Sequence, residues 1–380
     1  MAQNAVNNRL GLYVHVPFCL SKCAYCDFPS WAGKLSLQGP YFSEVCEEIL
    51  RRGGEAGRPA VDTVFFGGGT PSIMRPEHLT QLLETLREAF DIADDAEITC
   101  EANPGTLSHA FLAAAVSGGV NRLSLGAQSS HENELRMLAR QHTWPKVQQS
   151  VLDAVGAGIS NINIDLMFGL PGQTGTSWKD TLLRTLDLPV KHIACYGLII
   201  EDDTPLKERI DLGELRLPEP EDERDMYDMA ISLLKSRGIQ QYEISNFASA
   251  GFECRHNVGC WTRVPYLGFG CAAHSLVDTS TRLQNPDSLE GYLAREAPHI
   301  THMDEHEQMF EQMMLGLRMT RGVSDEAFRK AFGQGISQVF GGRLASSVKK
   351  GLTEWTEDGS IRLTDRGMDL MNTVLLDLMA

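Results

Sequence analysis

Residues 13–28 read YVHVPFCLSKCAYCDF and place Cys19, Cys23 and Cys26 directly after an apolar segment with strand character. Three thiols within eight residues are too close together for ordinary disulfides among themselves. On a loop that follows a strand, this spacing lets each thiolate hold one iron of a cubane [4Fe–4S] cluster and leaves the fourth iron open. Zinc remains an alternative, although it usually takes four protein ligands and the next forty residues offer no second Cys or His pair.

Composition narrows the class of protein. The chain has 380 residues, with 34 Lys and Arg against 50 Asp and Glu, which gives a net charge of -16. This charge disfavours nucleic acid as a main partner, because binding to a phosphate backbone depends on clustered positive charge. Residues 1–10 carry no targeting pattern, and no apolar run is long enough to span a bilayer. We therefore expect a soluble, cytoplasmic protein without a transmembrane segment.

Short apolar runs alternate with segments of helical periodicity over the first two hundred residues. The alternation predicts strands at 11–18, 61–66, 96–101, 122–128, 161–168 and 192–199. Between them it predicts helices at 75–90, 107–117, 143–157 and 177–186. Six strand-then-helix units indicate an α/β fold with a parallel sheet, wound as a partial (β/α)6 barrel of the TIM type.

The later part of the chain loses this alternation and predicts further units. We expect a barrel at 1–240, an extension that completes it at 241–300, and a smaller domain at 301–380. The last of these is mostly helical, and the Asp358 and Gly359 pair predicts a turn between two short strands, as in a winged-helix-like domain. A wing can bind DNA, but no basic cluster accompanies this one, so a packing role is the preferred interpretation.

Several predicted strands end in residues suited to ligand binding. These are the glycine run at 67–69 with Thr70 after the second strand, Glu101 at the end of the third, Gln128 at the end of the fourth, Asp165 in the fifth, and Tyr196 and Gly197 near the end of the sixth. The carboxyl ends of parallel strands open on one face, so these residues are expected to line one cavity. Each alone has an ordinary structural explanation, such as a turn cap for Asp165.

The cysteine loop and the strand ends together resemble the radical S-adenosylmethionine superfamily. The string at 13–28 is similar to the branch that contains oxygen-independent coproporphyrinogen III oxidases (HemN) and haem chaperones (HemW). The resemblance implies that S-adenosylmethionine chelates the open iron through its amine and carboxylate. It also implies a binding role for each matching position: Gly68, Gly69 and Thr70 for the methionine part, Glu101 for the nucleoside or methionine, Asp165 for the ribose hydroxyls, Arg140 for the carboxylate, and Tyr13, Tyr25, Gln128 and Gly197 elsewhere in the site.

Two departures from the oxidase pattern favour the chaperone side of this branch. Phe28 occupies the position of a fourth cysteine, and the first strand begins after only ten residues. Residues 254–261 (CRHNVGCW) resemble the chaperones' His-Asn-x-x-Tyr-Trp motif, which implies that His256 holds haem. Trp261 would then offer an apolar ring face to the porphyrin, while Cys260 stands where the family has tyrosine. A histidine hydrogen-bonded to the backbone beside a packed tryptophan is the structural alternative.

The function implied by the resemblance is that of a haem chaperone. It would carry the cluster and S-adenosylmethionine, bind haem and deliver it to acceptor haemoproteins, with membrane-associated acceptors left open. We assign no catalytic residue and do not expect coproporphyrinogen III oxidase activity. The alternatives are an oxygen-independent coproporphyrinogen III oxidase or another radical enzyme that modifies tetrapyrroles, and an interaction protein that keeps the barrel without its cofactors.

Other metal-ligating side chains are given structural roles. His299, His302 and His306 have spacings of three and four residues that suit one helical face, and we expect a solvated face or an adventitious metal site there, and no catalytic site. Cys254, Cys260 and Cys271 could form a second cluster, but their spacings are long and irregular, so we expect buried packing residues there. Cys46, Cys100 and Cys195 are expected to be structural.

Overall fold

The structure, a computed structural model, describes residues 10–379. The first nine residues, which carry part of the expectation about targeting, lie outside that range. Crossing a bilayer takes a long apolar helix, and none of the helices between residues 10 and 379 provides one. The elements up to residue 200 are, in chain order, β1 (Leu10–Val16), β2 (Phe18–Cys19), β3 (Trp31–Ala32), α1 (Gln38–Glu55), β4 (Ala60–Gly68), α2 (Pro76–Ala89), β5 (Asp91–Ala102), α3 (His109–Ser117), β6 (Arg122–Gln128), α4 (Glu132–Met137), α5 (Trp144–Ala157), β7 (Asn161–Phe168), α6 (Gly175–Leu186) and β8 (His192–Gly197).

Six parallel strands form the centre of the main sheet. They lie in the order β1, β4, β5, β6, β7, β8, and each pairs in parallel with the next. Each strand thus joins the sheet beside the one before it in the chain, which is the winding of a (β/α) barrel. The apolar side chains of strands and covering helices form one continuous buried core. The predicted partial (β/α)6 barrel is confirmed.

Residues 201–302 extend both edges of this sheet. Strand β11 pairs in parallel with β1 and is followed by antiparallel β12, β13 and β14, while β10 and β9 lie beyond β8. The predicted domain limits, 1–240, 241–300 and 301–380, remain a prediction. The elements of this part are α7 (Pro205–Asp211), α8 (Pro220–Ser236), β9 (Gln240–Gln241), β10 (Asn246–Ala248), α9 (Arg255–Trp261), β11 (Tyr266–Phe269), β12 (His274–Leu276), β13 (Thr281–Gln284), α10 (Leu289–Leu293) and β14 (His299–His302).

The C-terminal part has a second apolar core around Phe328 and Phe340. A three-stranded antiparallel sheet in the order β15, β17, β16 supplies the predicted wing, so the winged-helix-like domain is confirmed. Its elements are α11 (Glu305–Gly316), β15 (Val323–Ser324), α12 (Asp325–Phe332), α13 (Ile336–Lys349), β16 (Thr353–Trp355), β17 (Ser360–Leu363), α14 (Asp365–Asp369) and α15 (Met371–Met379).

His299, His302 and His306 are exposed, as expected of a solvated face, but they do not share one helical face. His299 and His302 are the first and last residues of β14, and only His306 lies in a helix, α11. Successive side chains of a strand point to opposite faces, so residues three apart in β14 face opposite sides of the sheet. The chain pairs β14 with β13 over four residues, and this pairing overrides the helical spacing.

The C-terminal domain docks on the segment that carries α9. Glu311 of α11 accepts hydrogen bonds from Arg263 Nε at 2.7 Å and from Arg282 Nη2 at 2.6 Å. Arg318 places its guanidinium 4.3 Å from the centroid of the Trp261 ring, within range of a cation–π interaction. The two units are therefore joined by buried polar contacts next to the histidine-containing helix.

Candidate functional site

One cavity of about 810 Å³ opens among the carboxyl ends of the barrel strands and continues into the barrel. Its wall brings together thirteen of the predicted site residues: Tyr13, Cys19, Cys23, Tyr25, Cys26, Gly68, Gly69, Thr70, Glu101, Gln128, Arg140, Asp165 and His256. Gly197 does not line it. A side chain at Gly197 would meet Glu223 Oε1 at 3.2 Å and the Phe168 ring at 3.3 Å, so this glycine permits close packing behind the strand end.

The cysteine loop is fixed to the end of β4 by backbone hydrogen bonds. Gly69 N–H donates to Val16 O and Thr70 N–H donates to Phe18 O, both at 2.8 Å. A Cβ on Gly69 would lie 2.7 Å from Phe18 O and 3.0 Å from Cys19 Sγ. Only glycine allows this approach, because the atoms it would meet include backbone that cannot rotate away. The glycine run therefore forms a cradle for the first cysteine.

Arg140 links the cysteine loop to the strand ends. Its guanidinium donates to Cys23 Sγ at 3.3 Å, to Asn103 Oδ1 at 2.7 Å and to the Gly126 carbonyl. Its Nε is buried and has no hydrogen-bond partner among residues 10–379. A buried donor without a partner is costly, so Arg140 fits a site that also holds an acidic ligand group. The predicted carboxylate-binding position is consistent with this arrangement.

Two carboxyl groups line the cavity, that of Glu101 in β5 and that of Asp165 in β7. Burial, and then the charge of Asp165, raise the pKa of Glu101 to about 8, although the Gly68 N–H donates to Glu101 Oε2 at 3.1 Å. Burial also raises the pKa of Asp165, while hydrogen bonds from Asn163 at 2.8 Å and Ser124 at 3.0 Å oppose that shift. Glu101 is thus largely protonated at neutral pH, and a cationic ligand group beside it would favour its ionised form.

His15 belongs to this site and was not predicted. Its Nε2 lies 2.8 Å from the Pro29 carbonyl, so Nε2 carries the proton and Nδ1 accepts from the Tyr13 hydroxyl at 2.9 Å. His15 therefore ties the far end of the cysteine loop to β1. The available signal was its place two residues after Tyr13, since alternate residues of a strand share a face.

His256 lies deeper in the cavity, on helix α9. Its ring stacks on Phe65 with centroids 5.2 Å apart, and a hydrogen bond of 2.9 Å joins Nδ1 to Thr63 Oγ1. Burial, and then the charge of Arg122, lower the pKa of His256 to about 4, so the imidazole is neutral at pH 7. No hydrogen bond within residues 10–379 involves its Nε2. A neutral ring nitrogen of this kind is available to a metal.

Glu97 holds the backbone at His256 in place. Its carboxylate accepts from the backbone N–H groups of Arg255 at 3.0 Å and His256 at 3.1 Å, which fixes the first turn of α9. An acid at the start of a helix also interacts favourably with the helix dipole. Glu97 had no motif to mark it, because its role depends on a contact between distant parts of the chain.

The neighbours of His256 depart from expectation in one respect. Trp261 does not line the cavity, and Arg318 covers one face of its ring, so the contact of a ring face with a porphyrin stays a prediction. Cys260 does line the cavity, one helical turn after His256. Burial raises the pKa of the Cys260 thiol to about 11, which leaves it protonated at neutral pH.

A single metal ion has no ready-made cage in the described part of the chain. No group of three or more His, Cys, Asp or Glu side chains between residues 10 and 379 is arranged to hold one. The thiols of Cys19, Cys23 and Cys26 share one cavity wall all the same. A cubane meets each thiolate at a different iron, so its ligands need not converge on one point.

Comparison with known proteins supports the same interpretation of the fold and identifies the family. The family described as the radical SAM superfamily matches residues 13–184, and the HemN C-terminal domain matches residues 303–370. The protein from Bacillus subtilis (strain 168) described as heme chaperone HemW is 36% identical over 369 residues, covering 95% of this chain and 97% of its own length. The Escherichia coli (strain K12) protein of the same description is 36% identical over 269 residues and covers 70% of each chain.

The solved structure of coproporphyrinogen III oxidase (HemN) from Escherichia coli has a similar fold. It superposes with a TM-score of 0.84 over 97% of this chain and 90% of its own, at 23% sequence identity. The parallel barrel, the three-cysteine loop and the matching residues together define a radical SAM protein. Within that superfamily, the chain belongs to the HemW family of heme chaperones.

Proposed function

We propose that this protein binds haem through His256, carries a [4Fe–4S] cluster on Cys19, Cys23 and Cys26, and delivers haem to haemoproteins. The observation that carries the proposal is the single cavity, which joins the three thiols to a neutral histidine with a free ring nitrogen. The relatives named as heme chaperones support the haem part of the proposal. We also propose a cytoplasmic location, with acceptor haemoproteins, membrane-associated ones included, as partners.

The chain's own residues fit the cluster. Gly69 admits Cys19 to the strand end, Arg140 donates to the sulfur of Cys23, and the Thr70 hydroxyl lies 3.6 Å from the sulfur of Cys19. Donors aimed at the sulfurs stabilise thiolates over thiols. When bound, a cluster with one open iron supplies an electron and a coordination site for S-adenosylmethionine.

The remaining strand-end residues suit S-adenosylmethionine. Arg140 offers its unpartnered Nε to the methionine carboxylate, and Glu101 offers a carboxyl group beside the place of the amine or nucleoside. Asp165 is held by Asn163 and Ser124, which leaves it oriented toward the cavity for the ribose hydroxyls. Tyr13, Tyr25 and Gln128 complete the proposed wall.

The test is an anaerobic haem titration read by absorbance. The wild-type protein should bind one haem per chain, and His256→Ala should weaken binding at least tenfold, since it removes the only proposed iron ligand. His274→Ala is the matched control, because His274 lines the same cavity but is exposed at its edge. Equal losses in both variants would contradict the role of His256.

The cluster is tested in parallel through Cys23→Ser. The reconstituted wild type should hold about four irons per chain, and the variant should lose them because serine is a poor ligand for iron in a cubane. Cys46→Ser, a change at a buried cysteine away from the loop, is the control. Iron retained by Cys23→Ser would refute the ligand assignment. Formation of protoporphyrinogen from coproporphyrinogen by the reduced, loaded protein would favour the oxidase instead.

A further inference from the structure

Arg122 is a buried cation whose side chain has no hydrogen-bond partner among residues 10–379. It is the first residue of β6 and its side chain is only 2% exposed, yet it lines the main cavity. Its guanidinium makes no hydrogen bond or ion pair within residues 10–379, and its Nε is buried and unpartnered. Arginine carries five N–H donors, and those of Arg122 that reach the cavity are available to a ligand with acceptor oxygens.

The surroundings keep Arg122 charged without satisfying those donors. Burial lowers the pKa of Arg122, but acidic groups nearby, among them the carboxylates of Glu97 and Asp165, raise it above its ordinary value. Glu97 is occupied by the backbone of α9, and Asp165 by Ser124 and Asn163. A buried charge that is balanced at a distance but lacks direct acceptors is a costly arrangement unless a ligand or water completes it.

His256 shares the same cavity and lies within the electrostatic influence of Arg122. The pair offers a neutral imidazole and a cationic fork to one ligand. Haem presents the matching groups, an iron and two propionate carboxylates. Guanidinium groups bind carboxylates through two parallel hydrogen bonds, which would meet the demand that the protein leaves open.

A second cavity of about 310 Å³ also touches His256, on the side where β1 and β4 begin. Its arginine is already engaged, because Arg255 donates to the Asp95 carbonyl at 2.6 Å and lies 3.8 Å from Asp62. The main cavity is larger and holds the unpartnered cation. The ligand of His256 therefore fits the main cavity better.

We propose that Arg122 is a carboxylate-binding residue of the main cavity and takes a propionate of the haem held by His256. This inference rests on the proposed function. The methionine carboxylate of S-adenosylmethionine has the same chemistry and is the second source to be tested.

The test compares ligands that keep or lack the carboxylate. Haem and its dimethyl ester are titrated into the wild type, Arg122→Met, Arg122→Lys and the control Arg255→Met. Esterification should weaken binding to the wild type and to Arg255→Met at least tenfold, and to Arg122→Met less than twofold. Arg122→Lys should retain an intermediate difference, since lysine keeps the charge but loses the fork. The wild-type comparison needs no variant to fold.

A parallel arm measures S-adenosylmethionine and its decarboxylated analogue by equilibrium dialysis. Discrimination against the decarboxylated analogue that disappears in Arg122→Met assigns the carboxylate to the nucleotide ligand. If neither removal of a carboxylate depends on Arg122, the inference is overturned. A wild type that binds no haem through His256 overturns the proposed function and the propionate assignment, while the dialysis arm still tests Arg122 as a carboxylate-binding residue.

Discussion

Glu101 shows how one residue's chemistry depends on the fold around it. In the sequence it is an acid at a strand end, and in the structure it is a buried carboxyl group beside Asp165 with a pKa of about 8. The folded chain therefore binds a proton at Glu101 that the unfolded chain releases above its ordinary pKa. This proton links stability to pH.

The sign of the effect follows from linkage. Between about pH 4.5 and 8 the folded state holds more protons at Glu101 than the unfolded state, so the wild type should lose stability as pH rises. Glu101→Gln stays neutral and should gain stability relative to the wild type over that range, by at most about 1.4 kcal/mol per pH unit. Urea unfolding of the cluster-free proteins at several pH values measures the difference.

The exposed Glu88→Gln variant supplies the baseline for that comparison. Its stability difference from the wild type should be small, because Glu88 is exposed. A Glu101→Gln curve that runs parallel to the wild type from pH 4.5 to 8 would show that the carboxyl group is not protonated in the folded protein.

Residues that belong to a local sequence motif could be predicted, whereas residues whose role depends on a contact between distant parts of the chain could not. The cysteines and the strand-end residues could be placed together because parallel strands share one open face. Glu97 acts through backbone groups of α9, far away in the chain, and Arg122 reaches the cavity from the buried start of β6; nothing in the sequence beside either residue marks this. The contact of Arg318 with one face of the Trp261 ring could not be predicted either, because the two residues belong to different domains.

At the scale of elements, the tight junction between the cysteine loop and β4 is the most sensitive point. Gly69→Ala would place a methyl group 2.7 Å from Phe18 O and 2.9 Å from Val16 O, and backbone must move to admit it. We expect the reconstituted variant to hold well under half of the wild type's iron while its circular dichroism stays close to normal. Colorimetric iron analysis after anaerobic reconstitution checks this.

Gly156→Ala is the matched control, because a methyl group at that position of α5 meets nothing within 4 Å. It should load iron like the wild type. Full iron in Gly69→Ala would mean that the loop tolerates displacement from β4 and that the glycine run is no cradle for Cys19.

The elements themselves were largely predictable. Continuous apolar runs gave the parallel strands, and helical periodicity gave the covering helices, since both patterns follow from burial on the two sides of a sheet. The short antiparallel strands between residues 240 and 302 were not foreseen, because strands of two to four residues without a marked turn carry too little pattern. Residues 299–302 have a histidine spacing that suits a helix, but they form strand β14 because they pair with β13.

At the scale of the whole molecule, the buried contact of Glu311 with Arg263 and Arg282 joins the C-terminal domain to the barrel. Arg263 has a side chain only 5% exposed, so removing the charge of its partner leaves a buried cation uncompensated. Glu311→Gln should lower the free energy of unfolding by about 3 kcal/mol. Urea unfolding followed by tryptophan fluorescence measures the loss.

An exposed ion pair serves as the comparison. Glu354→Gln breaks the contact with Arg362, whose side chain is 45% exposed, and should cost less than about 1 kcal/mol. Similar losses in the two variants would mean that the contact between the domains is no stronger than a surface pair.

The placement of Arg318 over Trp261 has a practical consequence for dissecting this protein. Trp261 and His256 belong to the same short helix, and the cover of that helix is supplied by the last eighty residues. A shortened chain that ends at the barrel would bare an indole ring and leave Arg263 without its acid. Such a fragment would have a disturbed ligand-binding helix and could not serve as a minimal version of the protein.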